Sequence, residues 1–137
     1  MAQRGVMVAT SELKFCQEAM RRLMLQRAVW EGVLLEGAPL LKGSVVQQYK
    51  QCGKKNCSCA AGAHRHGPFT YLSFSDQGRT RMRFVREAQR GRVVFLAENY
   101  RLFRHARAQV VKLNREIMDL TNRIERLRTV DSAEAFS

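Results

Sequence analysis

Cys52-Gly-Lys-Lys-Asn-Cys57-Ser-Cys59, followed by His64 and His66, constrains this chain more than any other stretch of it. The segment is polar and rich in Gly and Lys, so it has no apolar core to gather these side chains. Three soft thiolates and an imidazole in a Cys-x4-Cys-x-Cys-x4-His-x-His array suit a tetrahedral zinc ion. One histidine completes a closed four-ligand shell, so the expected role is structural: one Zn2+ per chain, its binding free energy serving the fold. Lys54 and Lys55 sit beside the thiolates and offset their charge. His66 is the expected fourth ligand, because Gly67-Pro68 fixes the chain as it leaves for a strand; His64 is the alternative. An iron–sulfur cluster competes for the same ligands. A disulfide is disfavoured, since three clustered thiols cannot all pair and Met1 to Thr10 shows no signal-peptide core. Cys16, far upstream among apolar helical positions, reads as a buried, inert thiol.

A chain of 137 residues holds one domain with a modest core, a size at which a metal staple helps. Its formal charge of +12 favours polyanions, nucleic acid first and an anionic membrane surface second. The distribution is uneven: residues 44–92 carry ten Lys/Arg against two acids, on the same segment as the cysteines. Nothing approaches the roughly 18 apolar residues of a membrane span, and the expected location is cytoplasmic.

Residues from about Ser11 to Glu36 read as a helix, with Thr10 or Ser11 as N-cap and Gly37-Ala-Pro39 beyond its end. Leu13, Cys16, Met20 and Leu23 form a seam at three- and four-residue spacing that resumes at Trp30 and Leu34, with Arg27 interrupting it. The polar face carries Glu18 and Glu31 beside Lys14, Arg21 and Arg22, which argues for packing on a second helix over lying on a membrane. Ser44–Tyr49 suits a strand that delivers Cys52. Phe69–Ser75 and Arg79–Val85 suit a hairpin around Asp76-Gln77-Gly78, with Gly78 as a bulge residue. Pairing Ser75 with Arg79 sets Leu72 opposite Met82 and Phe74 opposite Thr80 on an inward face that also holds Phe84, and Tyr71 opposite Arg83 and Ser73 opposite Arg81 on the other. From about Glu87 or Arg92 to Arg128, Tyr100, Phe103, Ala106, Val110, Leu113, Ile117, Leu120, Ile124 and Leu127 recur every three or four residues, a coiled-coil pattern.

The fold expected is therefore α+β: a small zinc-knotted, three-stranded antiparallel β module (43–92) flanked by an N-terminal helix (10–42) and a long C-terminal coiled-coil helix (93–128). Residues 1–9 and the tail 129–137 read as disordered. Alternation sends Arg79, Arg81 and Arg83 to one face about 6.6–7 Å apart, near the phosphate repeat of a nucleic-acid strand, with Tyr71 and Phe69 offering rings for stacking. Lys50, Lys54, Lys55, Arg65 and Arg86 extend this into a basic ribbon, and the acids that usually intersperse a merely solvated face are missing. His105 reads as an exposed helical histidine, not a ligand. No phosphate loop, deaminase signature or two-metal acidic cluster occurs, so no catalytic residue is expected.

The run Gly43-Ser-Val-Val…Tyr49…Cys52-Gly-Lys…Cys57-Ser-Cys59…His66-Gly-Pro-Phe…Tyr71-Leu-Ser…Gly78-Arg-Thr-Arg, then Asn99-Tyr-Arg and Leu113-Asn-Arg-Glu, resembles a family of small bacterial proteins of unknown function, recurrent near transposases and other mobile-element genes. Its hallmark falls on Cys52, Cys57, Cys59 and His66, and the resemblance spans about residues 43–128, leaving the first helix outside. The function expected is zinc-stabilised, non-enzymatic nucleic-acid binding, DNA ahead of RNA, as an accessory or regulatory protein of a mobile element or phage, homodimeric through its C-terminal helix. The alternative is a coiled-coil adaptor with a structural zinc site that docks on a larger protein partner.

Overall fold

The computed structural model describes residues 3–61 and 65–137. Helix α1 (Gln3–Leu34) leads to strand β1 (Ser44–Lys50), a 3-10 turn (Ser58–Ala61), strands β2 (His66–Asp76) and β3 (Arg79–Phe84), helix α2 (Glu87–Arg128) and a short helix α3 (Ser132–Ala135). The class is α+β: an N-terminal helix, a three-stranded antiparallel sheet in the order β1-β2-β3 that carries the cluster of three cysteines and one histidine, and a long C-terminal helix. Two compact units divide the chain, one of Met1–Glu36 with Arg104–Ser137 and one of Gly37–Phe103. No helix among the described residues is long and apolar enough to cross a membrane.

The helical unit is an antiparallel pair. Glu12 meets Arg123 at 2.7 Å, Arg27 meets Asn114 at 2.9 Å, and Trp30 meets the His105 ring edge-on at 5.1 Å between centroids, so α1 and α2 run in opposite directions. Along the seam, Cys16, Ala106, Leu113 and Ile117 are buried, and the remaining apolar positions anticipated from the spacing are half-buried. The periodic stripe of α2 thus faces the stripe of α1 in the same chain. Arg27, the break in the pattern, keeps its guanidinium satisfied between Asn114 and Glu31. His105 is exposed, as expected of a helical histidine, but it also lies against Trp30.

Helical backbone extends into both terminal segments, at Gln3–Leu34 and Ser132–Ala135. Helix α1 opens at Gln3, ahead of the cap anticipated at Thr10 or Ser11, because nothing in residues 3–9 breaks a helix: that stretch holds no Pro and only Gly5. In the tail, Asp131 Oδ1 accepts the Glu134 N–H at 2.6 Å and caps α3, an Asp three residues before an acid in the manner of a helix start.

In the sheet unit, β2 is central. Val45 pairs with Leu72 and Gln47 with Thr70 across β1, while Arg83, Arg81 and Arg79 pair with Leu72, Phe74 and Asp76 across β3. Directly opposed residues share a face. One face therefore carries Leu72, Thr70 and the three arginines; the other carries Val46, Tyr71, Ser73, Met82 and Phe84. This corrects the anticipated register by one residue. Gln77 and Gly78 both have positive φ, 49° and 79°, so the hairpin closes on a two-residue type I′ turn with Asp76 opposite Arg79, not on a three-residue bulged loop. Met82 and Phe84, expected to point inward, are 43% and 51% exposed.

The Leu72 face is the covered one. Leu72, Val85 and Thr70 are buried, and Leu41, Val85, Ala88 and Val93 line a cavity beside Leu72, which brings the first turns of α2 over the sheet. Leu41 N–H donates to Leu96 O and Asn99 Nδ2 to Pro39 O, tying the linker before β1 to the same helix. Helix α2 can start at Glu87 because the Gln89 side chain accepts the Arg86 N–H, one half of a capping box, and Glu87 complements the dipole of the first turn.

Because Ile117 is 6% exposed in the helix seam, Ile117→Asp should lower unfolding free energy by on the order of 3 kcal/mol or more. Urea melts followed by far-UV circular dichroism test this; a loss below about 1 kcal/mol would mean that the seam admits water.

Candidate metal centre and the groove beside it

The four anticipated ligands come from three places. Cys52 follows the end of β1, Cys57 and Cys59 bracket the start of the 3-10 turn, and His66 is the first residue of β2. The register explains the convergence: Lys50 pairs with His66, after an irregularity between Gln48 and Lys50, so the end of one strand lies beside the start of the next. Gly67 makes that pairing sterically accessible. Its φ is 133°, and a Cβ there would fall 2.7 Å from the Gln48 carbonyl oxygen, so only glycine can follow His66.

The donor atoms of Cys52, Cys57, Cys59 and His66 all lie within 4.8 Å of one another. Cys52 Sγ is 3.3 Å from Cys59 Sγ, and Cys57 Sγ is 3.1 Å from His66 Nε2. A tetrahedral zinc with bonds of about 2.0–2.3 Å sets its ligands roughly 3.5–3.8 Å apart, so the spacing and the donor set of three sulfurs and one nitrogen both fit such an ion. The group is a candidate metal site of the sheet unit, and no disulfide links any of its cysteines. His64, the alternative fourth ligand, lies outside the described residues. Cys16 is fully buried in the helical unit, as an inert thiol should be.

The thiols differ in acidity. Cys57 is lowered to about 6, chiefly by the Cys59 backbone N–H aimed at its sulfur, then by the Cys59 and Cys52 thiols and the His66 ring. Cys59, 1% exposed, accepts the Cys52 N–H at 3.3 Å, yet burial and the neighbouring thiols raise it on balance. One sulfur is thus prepared as an anion while a second resists becoming one, the division expected when clustered thiols have no cation between them.

The anticipated nucleic-acid residues separate into two groups. Lys50, Lys54 and Tyr71 line a groove of about 510 Å³ together with Cys52, Cys57 and His66. Lys50 Nζ donates to Tyr71 Oη at 2.7 Å and stands 4.5 Å from the Tyr71 ring centroid. Arg79, Arg81 and Arg83 do share one face, but it is the Leu72 face, opposite Tyr71; Arg81 is paired with Asp76 at 2.9 Å. Lys55 is exposed in the turn before Cys57, and Arg65 and Arg86 are exposed at the ends of the loops next to β2 and α2. Two residues of the groove were not anticipated, Gln51 and Phe84, and Phe84 meets Tyr71 and Phe69 edge-on at 5.6 and 6.5 Å between centroids. Reading Gln77-Gly78 as a two-residue turn would have put it there.

In metal-free protein at pH 7, iodoacetamide should modify Cys57 ahead of the buried Cys16 and Cys59, and mass spectrometry of the digest should show a Cys57 rate about tenfold lower at pH 5 than at pH 8. A rate that begins to rise only above pH 8 would mean that the Cys59 N–H does not stabilise the Cys57 anion.

Residues 17–93 match the family described as "Domain of unknown function (DUF6788)". The match contains all four residues of the candidate metal site. It begins within α1 and ends soon after α2 begins, so the second part of α1 lies inside the family region, where the motif resemblance had left it out, and most of α2 lies beyond. No curated protein and no solved structure matches the chain. With more than half of its residues inside that match, the chain belongs to the DUF6788 family, a domain of unknown function.

Proposed function

We propose that this protein is a zinc-stabilised, non-enzymatic nucleic-acid-binding protein. The observation that carries the reading is the coincidence of charge and donors: residues 44–92 hold ten Lys/Arg against two acids and also hold Cys52, Cys57, Cys59 and His66. Zinc is the ion that best suits three thiolates and an imidazole in a closed shell, and its role is structural, one ion per chain. DNA is placed ahead of RNA, and an accessory or regulatory role in a mobile element or phage follows the motif resemblance. Cytoplasmic residence accords with that setting.

The metal half of the reading is tested by composition and stability. Purified protein should contain one zinc per chain, and strong chelation should unfold the sheet unit, whose buried apolar side chains are few. Cys57→Ser or Cys59→Ser should remove the zinc, and His66→Ala should weaken it more than His64→Ala. Full zinc retention in both serine variants would refute the site as assigned.

The binding half is tested by salt. Arg79, Arg81 and Arg83 changed together to Gln leave the Tyr71 face untouched, so fold and zinc should persist. If the three guanidiniums meet phosphates, affinity for duplex DNA should fall across all sequences, and the slope of log affinity against log salt should shrink by about 0.9 per contact. An unchanged slope would give precedence to a second reading, a coiled-coil adaptor with a structural zinc site that docks on a larger protein. Phe15, Leu25 and Val29, exposed by 60–70% on the side of α1 away from its seam, favour that second reading.

A further inference from the structure

The uncovered face of the sheet has a feature that phosphate binding alone does not use. Tyr71, Phe69 and Phe84 form an edge-to-face cluster, yet the helix packs on the opposite face and Phe84 remains 51% exposed. Phe69 and Tyr71 are half-buried and Phe84 is open, a grouping of rings on which a flat ligand can stack. They line, together with Cys52, Cys57 and His66, the groove of about 510 Å³. A metal ion held by Cys52, Cys57, Cys59 and His66 would make no use of the three rings, and the groove lies within the roughly 300–1,000 Å³ usual for small-ligand sites. The rim is cationic: Lys50 is held by the Tyr71 hydroxyl at 2.7 Å and by its ring at 4.5 Å, and Lys54 lines the same groove.

Flat apolar rings beside a fixed ammonium suit a flat aromatic group that carries an anion, and within the nucleic-acid reading that unit is a base joined to a phosphate. In a duplex both faces of each base are covered by stacked neighbours, so a ring cluster can reach a base only where pairing has been lost. The geometry points to this groove as a site for an unpaired nucleobase of single-stranded nucleic acid, stacked on Phe84 and Tyr71 with an adjoining phosphate at Lys50 and Lys54. This assignment rests on the nucleic-acid reading above and narrows it: the groove face takes single strands, and the arginines on the opposite face serve the phosphate backbone.

The test uses full-length, zinc-loaded protein and fluorescence anisotropy with three probes: a thymidine homopolymer of about 15 nucleotides, an abasic strand of the same length, and the thymidine strand annealed to its complement. Wild type should prefer the thymidine strand over the abasic strand by about five- to hundredfold, the range of base–aromatic stacking. Phe84→Ala should abolish that preference while leaving zinc content and the salt slope on the duplex unchanged. Phe84→Leu, which keeps apolar contact but removes the π face, should do the same if the alanine variant is poorly folded. Equal affinity of wild type for the thymidine and abasic strands, or a preference that survives in a folded Phe84 variant, would overturn the groove assignment and leave duplex binding standing. Failure of wild type to bind any of the three probes would overturn the nucleic-acid reading with it.

Discussion

Four donor atoms drawn within 4.8 Å are the constraint on which the sheet unit depends. Thiolates brought this close repel one another, and the structure records the conflict: Cys57 is eased toward its anion while buried Cys59 is held away from it. A divalent cation would resolve both, since it favours every thiolate at once. The dependence runs outward from there. Among the described residues the loop between β1 and β2 buries Cys59 alone, and the sheet buries Leu72 and Thr70 with Val85 just beyond it, so the cluster and the turns of α2 share the work of holding the three strands.

The sheet has apolar material for one covered face, and the chain spends it on the Leu72 side. Both faces nevertheless carry cations, with different chemistry. On the covered side, Arg79, Arg81 and Arg83 project from the edge strand β3, exposed, as extended charges suited to phosphate. On the open side, Lys50 is anchored to a tyrosine among phenylalanines. A charge fixed by a hydroxyl and a ring has surrendered much of its freedom before any ligand arrives, so little ordering remains to be done on binding.

Periodicity made the helices legible. Each seam position from Leu13 to Leu34, and from Phe103 to Leu127, is buried or half-buried, because a 3.6-residue repeat determines facing without reference to anything distant. Ligand chemistry made Cys52, Cys57, Cys59 and His66 legible in the same way, since few arrangements other than a metal site place three thiols and an imidazole so near one another. The hairpin was harder. Asp76-Gln77-Gly78-Arg79 is compatible with a two-residue or a three-residue loop, and the choice hangs on whether Gln77, a residue without special preference for positive φ, will adopt it. One residue of slip transfers every β3 side chain to the other face. That single ambiguity hid the ring cluster and joined Tyr71 to arginines it does not accompany. Helix α1 was read too short for a related reason: a capping residue such as Thr10 or Ser11 marks where a helix is able to begin, and a helix can also run through it.

The position of the cysteines also bears on how the chain finds its fold. Strands β1 and β2 are antiparallel neighbours, but residues 51–65 separate them, too long for a tight hairpin. An ion that captures Cys52 and Cys57 early would break that span into short loops. Taking residues 53–56 out of the path leaves about eleven of the fifteen to be closed, a saving of only roughly 0.3 kcal/mol of closure entropy. The larger effect would come from His66: it belongs to the donor group and pairs with Lys50, so an ion that holds Cys52 and His66 together would bring the end of β1 to the start of β2 in the act of binding.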